Sequence, residues 1–140
     1  MSAEPACFVL DSFALLAFLE GESGLARVKA VLKNAEKGHC QVFLSWINFG
    51  EVLYITEREQ GQRRAREALA HIQSLPIEML EVTPLAVLDA AHIKANHRLS
   101  YADAFAVAAA LGQGATVLTG DLEFKTVETI VKIEWLAQKP

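Results

Sequence analysis

Short apolar runs recur along the chain, and most are followed by stretches in which apolar residues return every three or four positions. The runs Ala6 to Leu10, Cys40 to Leu44, 77–82, Ala115 to Leu118 and a segment near 130–134 read as strands. Runs such as Ala6 to Leu10 are apolar at successive positions, which suits strands covered on both faces. The intervening periodicity predicts helices over 12–20, 23–37, 46–59, 62–74, 85–97 and 101–111. Gly61 breaks the long helical stretch, and Thr83-Pro84 supplies a cap and first turn for the helix over 85–97. Strands alternating with helices predict an α/β fold: a mostly parallel, helix-covered sheet, with many helices for its strands.

Two of these strands run into a carboxylate. In "ATVLTGDLEF" the apolar run stops at Thr119, Gly120 and Asp121, and in "ACFVLDSFALLAFLE" it stops at Asp11 and Ser12. Each Asp suits a helix cap. If both strands are central and parallel, however, Asp11 and Asp121 end on the same sheet edge, where ligands bind in open α/β sheets.

Two further acids fall in helical segments. "LSWINFGEVLYITERE" carries Asn48 and Glu51 three residues apart, hence on one face. A lone Glu there also suits an edge position, its stem packed and its head in water. "LSYADAFAVAAALGQGA" is apolar on nearly every side and reads as a buried helix. Its one acid, Asp103, follows Ser100 by three residues, the spacing of a capping box. Capping and metal binding can coexist there, since both place the carboxylate at the same helix end. Carboxylates crowded into one small core repel, and a hard divalent cation with oxygen ligands relieves that cost. Metal-assisted attack of water on a phosphodiester is the chemistry such a site suits.

Composition narrows the picture. The chain has 140 residues without a long Pro, Ser or Gly tract, which fits one compact domain over 1–140. Although 52% of residues are apolar, charges interrupt every run well short of the ~18 residues a membrane span needs. The start, "MSAEPACFVLDSF", has no basic leader region, so cytoplasmic residence is expected. Cys7 and Cys40 form neither a C-x-x-C pair nor a disulfide framework, and His39, His71, His92 and His97 lack zinc-site spacing. A net charge of −4 argues against indiscriminate nucleic-acid binding, though not against a local site.

At the four acids the sequence resembles the PIN-domain nucleases, specifically the VapC-type toxins of toxin–antitoxin pairs. The matching elements, in order, are "VLDSFALLAFL", "INFGEVLYITERE", "LSYADAFAVAAAL" and "TVLTGDLEF", and they span nearly the whole chain. The resemblance implies a three-layer α/β/α fold with about five strands in the order 3-2-1-4-5. It also implies endoribonuclease activity dependent on Mg2+ or Mn2+ (one or two ions), homodimerisation and neutralisation by a small VapB-like antitoxin. Asp11, Glu51, Asp103 and Asp121 match the family's four acids, and Ser12, Asn48 and Thr119 its polar supporting positions. On that basis Asp11 and Asp103 are the principal metal ligands. Glu51 orients water or acts as base, and Asp121 lies farther from the ion or on a second one. Thr119 and Ser12 would hydrogen-bond carboxylates or phosphate. Glu123 falls where the family's acidity varies, so its role stays open and its side chain is expected to face solvent.

Arg58, Arg63, Arg64 and Arg66 suit either RNA phosphates or a solvated basic face. The dimer interface is expected at "LLAFLE" or the helix over 85–97, and an antitoxin helix in the groove between helices 12–20 and 46–59. An Arg or Lys of that antitoxin would reach Asp11, Glu51 and Asp103. A solitary PIN nuclease and an inactive RNA- or protein-binding PIN module are the alternatives. A phosphoacceptor receiver domain fits poorly, because Glu51 and Asp103 lie inside helical segments.

Overall fold

The computed structural model describes residues 6–137, so the N-terminal reading above draws partly on residues outside those described. The elements are β1 (Ala6–Leu10), α1 (Ser12–Glu20), α2 (Leu25–Glu36), β2 (Cys40–Ser45), α3 (Trp46–Gln60) and α4 (Gln62–Gln73). They continue with β3 (Glu78–Leu80), α5 (Pro84–Asn96), α6 (Tyr101–Gln113), β4 (Thr116–Thr119), a 3-10 helix (Leu122–Val127) and β5 (Ile133–Trp135). All strand pairs are parallel and the order is β3-β2-β1-β4-β5, as the resemblance implied. β1 lies at the centre, with Phe8 opposite Val42 on one side and Thr116 on the other.

The alternation of side chains along the strands divides the core in two. Leu10, Leu44 and Leu118 join one cluster with Ala14 and Leu15 of α1, Val28 and Val31 of α2, and Phe49 and Val52 of α3. Val9, Phe43 and Val117 point the other way, against Ala90 and Ile93 of α5 and the alanine-rich α6. Small side chains let α6 lie close on the sheet, with seven of its residues buried. Gly114, left-handed at φ 62, ends α6 by donating its N–H to Ala110 and turns the chain into β4. The result is a helix-covered parallel sheet in which every strand delivers its carboxyl end to one edge.

Several boundaries differ from the expected ones. α2 starts at Leu25 rather than 23, because Gly24 has φ 97 and cannot be part of a right-handed helix. β5 is Ile133–Trp135 rather than 130–134, because Val131 donates its N–H back to Val127 in a turn. β3 is only Glu78–Leu80, the short edge of the expected 77–82 run. The leucines of "LLAFLE" are half-buried or buried against the protein's own core, whereas Leu85 and Leu88 of α5 are each 67% exposed. No helix among the described residues is long and apolar enough to cross a membrane.

Candidate active site

Asp11 follows β1 directly and caps α1, its Oδ1 accepting from the Ala14 N–H at 2.8 Å. Its Oδ2 accepts from the hydroxyl of Thr119, the last residue of β4, the neighbouring strand. The same hydroxyl accepts from the Asp121 N–H at 3.0 Å, so one threonine fixes both acids that end the central strands. Asp11 is only 1% exposed. Burial pushes its carboxyl up to about 8, with Thr119 and Ala14 opposing and Asp103 and Asp121 adding to the rise.

Asp103 enters from α6. Ser100 caps that helix by accepting from the Asp103 N–H at 3.1 Å, which leaves the acid buried in the first turn. Its carboxyl is pushed up to about 7, first by burial and then by Asp121, against the Ser100 hydrogen bond, with Glu51 and Glu123 adding to the rise. Asp121 caps the 3-10 helix, accepting from the Glu123 N–H at 2.9 Å. Glu51 is half-buried in α3. The capping reading of Asp11 and Asp121 is therefore correct as geometry, and it fixes both acids where the adjacent strands β1 and β4 end.

Asp103, Asp121 and Glu123 each offer an oxygen, and all three oxygens lie within 4.8 Å of one another. That spacing spans the ~4.2 Å between opposite ligands around an ion with metal–oxygen bonds of ~2.1 Å. The donor set is all oxygen, so the residues fit a hard divalent cation. Glu123 is exposed, as expected of it, yet it completes this set. The available signal was its place two residues after Asp121, at the start of a turn whose geometry the sequence did not reveal.

Asn48 organises the space behind the acids. It is fully buried, and its Nδ2 donates to the Ala102 carbonyl at 3.1 Å and to Ser12 Oγ at 3.5 Å. Ser12 in turn donates to the Asn48 carbonyl at 3.4 Å, so its hydroxyl hydrogen is directed to α3 and not to a carboxylate. Asn48 thus ties together the residues adjacent to Asp11 and Asp103 from the helix that bears Glu51. Its Oδ1 is buried with no partner among the described residues.

Arg58 lies near the end of α3, and Arg63, Arg64 and Arg66 lie along α4. Arg63 and Arg64 pair with Glu67 at 3.5 and 3.0 Å, whereas the Arg58 guanidinium rests over the Tyr54 ring. Arg66 is exposed on α4.

The sequence profile of the PIN domain matches residues 8–130, and the chain belongs to the PIN-domain family. Its fold is similar to VapBC2 from Rickettsia felis, solved bound to a promoter DNA fragment, at 14% identity over 94% of this chain and 99% of that one, TM-score 0.73. DNA-bound VapBC from Salmonella typhimurium is similar at 21% identity, covering 92% of this chain and 97% of that one, TM-score 0.73. VapC20 from Mycobacterium tuberculosis, described as a sarcin-ricin loop cleaving toxin, is similar at 19% identity over 89% of this chain and 95% of that one, TM-score 0.69. No curated protein sequence matches the chain.

Proposed function

We propose that this chain is a single-domain, VapC-type endoribonuclease of the cytoplasm, dependent on Mg2+ or Mn2+ and silenced by a VapB-type antitoxin. The observation that carries the reading is the meeting of Asp103, Asp121 and Glu123 oxygens within 4.8 Å beside two further acids, Asp11 and Glu51. A divalent cation held by Asp103, Asp121 and Glu123, with Asp11 adding charge from behind, would neutralise the phosphodiester and acidify the attacking water. Glu51, half-buried in α3 and electrostatically coupled to Asp103, would take a proton from water as the water oxygen bonds to phosphorus and the P–O bond to the leaving ribose oxygen breaks, that oxygen taking a proton from solvent. Thr119 and Ala14 hold Asp11 in one orientation, and Asn48 holds the three acid-bearing segments together.

A cavity of about 250 Å³ between α1 and α3 supports the antitoxin reading. Phe13, Leu16, Ala17 and Ile55 line it and Glu20 and Glu59 stand at its edge, which suits an amphipathic helix with basic flanks. An arginine of that helix reaching the acids would compete with the cation through bidentate carboxylate contacts. Cleavage of RNA by purified protein is expected in Mg2+ or Mn2+, and no cleavage in excess EDTA. The product of the adjacent upstream reading frame should inhibit it, less so as Mn2+ is raised. Equal cleavage in EDTA would refute the metal reading; tight binding without inhibition would refute silencing while the partnership stands, and absence of such an upstream reading frame would favour a solitary PIN nuclease.

The proposed homodimer is best accommodated at α5. Leu85 lines a cavity of about 290 Å³ together with Leu80, Ala86, Phe105 and Ala108, and the exposed Leu88 follows it by three residues on α5, so each copy offers both a hole and an apolar side chain to fill its partner's. Light scattering should give a dimer mass at micromolar concentration, and the Leu85→Ser, Leu88→Ser double variant should give a monomer. A monomeric parent protein, or a variant that still dimerises, counts against this interface.

A further inference from the structure

The edge strand β5 is gripped by the start of α2. Arg27 donates from Nε to Glu134 Oε2 at 2.6 Å and from Nη2 to Oε1 at 2.9 Å, a bidentate pair between segments 107 residues apart. Such forked, charge-assisted bonds are stronger and geometrically stricter than single ones. They hold the Glu134 carboxyl below its usual range. The same guanidinium lies 5.7 Å from the centre of the Phe8 ring. Phe8 is on β1 and Glu134 on β5, the two strands that flank β4, so one side chain reaches both neighbours of that strand.

A second contact, one turn earlier, acts on the same segment. Gly24 is left-handed at φ 97, and a Cβ there would stand 3.2 Å from the Leu136 Cβ, so both its backbone and its neighbour call for glycine. Leu136 is buried, and its N–H donates to the Thr119 carbonyl at 2.7 Å. Thr119 is the residue whose hydroxyl meets both Asp11 and the Asp121 N–H. Contacts thus run without a break from α2 through β5 to the side chain that orients two of the acids.

We propose that Arg27 and Glu134 are positioning residues for the acid site, clamping β5 against β4 so that Thr119 keeps Asp11 and Asp121 in one arrangement for a divalent cation. The inference rests on the cation reading of the acids and goes beyond it by giving two residues outside the acid set a part in it. β5 is three residues long and pairs with β4 alone, at the edge of the sheet. A ladder that short opens locally unless something else holds it. Its last pair joins Trp135 to Thr119, so the end that would fray first is the end beside the acids. The Arg27 pair falls one residue before that end, at Glu134 opposite Leu118.

The test is native-state amide exchange in EDTA, together with Mn2+ titration, on the parent protein, Glu134→Gln, Arg27→Gln and the double variant. In each variant the Leu136 and Asp121 amides should exchange about fivefold faster and Mn2+ affinity should fall about fivefold. The His39 amide, bonded to the Asn34 carbonyl at the far end of α2, should exchange at the parental rate. The double variant should lose no more than either single one, because the two side chains act as one pair. Glu67→Gln, which breaks the ion pairs of Arg63 and Arg64, should change neither readout. Faster exchange at Leu136 with parental Asp121 exchange and parental Mn2+ affinity overturns the inference, since the pair would then secure β5 and nothing further. Equal acceleration at His39 overturns it too, because the loss would be one of general stability. A parent protein that binds no Mn2+ removes the cation reading instead, and exchange at Asp121 then decides alone whether the pair acts through Thr119.

Discussion

Asp103→Asn should abolish RNA cleavage while leaving the metal-free protein at least as stable as the parent. The substitution keeps the shape and the backbone N–H that Ser100 caps, so the start of α6 is preserved. It removes a buried charge that Asp121, Glu51 and Glu123 all disfavour. Losing one cation ligand at the reacting phosphate costs about 4 kcal/mol of transition-state stabilisation, roughly a thousandfold in rate. Relief of burial and repulsion should raise the melting temperature by a few degrees in EDTA. A variant that melts much lower but cleaves normally per folded molecule would reduce Asp103 to a helix-capping residue.

The metal-free protein should lose stability as pH rises from about 4 towards 8. Asp11 is pushed up to about 8 and Asp103 to about 7, against 3.8 for each in an unfolded chain. Between those limits the folded state binds more protons than the unfolded one, so ionisation favours unfolding. Each fully differential proton contributes a slope of about 1.4 kcal/mol per pH unit. Below pH 4 both states are protonated and the slope vanishes. A divalent cation needs the ionised acids, so the stabilisation it gives should grow over the same window. Melting temperatures with EDTA and with Mn2+ should therefore diverge from about pH 5 upward. A metal-free curve that is flat or rising across the window would contradict the burial of these two groups.

Much of this arrangement was legible in the residues. The apolar runs Ala6 to Leu10 and Ala115 to Leu118 marked the central strands because strands covered on both faces need no polar alternation. Their endings at Asp11 and Asp121 followed from parallel pairing. The order of the strands came from the resemblance, since nothing in a strand's own sequence names its neighbour. The 3-10 helix was hidden because its signal is Phe124 and Val127 three apart within six residues, too short for a helical period to register. Without that turn, Glu123 could not be aimed at Asp103. The bond between Ser12, expected to meet a carboxylate or phosphate, and Asn48 was not legible because the two become neighbours only after α1 and α3 meet. Side-chain contacts across distant segments carry no local pattern, and this is where the reading of the sequence stopped.

The central position of β1 has a consequence in time. β1 cannot acquire its second neighbour until Thr116 to Thr119 exist, and Asp11 waits for the hydroxyl of Thr119 across 108 positions of chain. Asp103, Asp121 and Glu123 come far later in the chain than Asp11, so a nascent chain lacks every oxygen of the proposed cation set until Asp103 has been added. At roughly 5–20 residues per second, the interval between the first acid and the last is some 6–22 s. During that interval the chain on the ribosome lacks the full set of carboxylates on which the proposed cleavage depends.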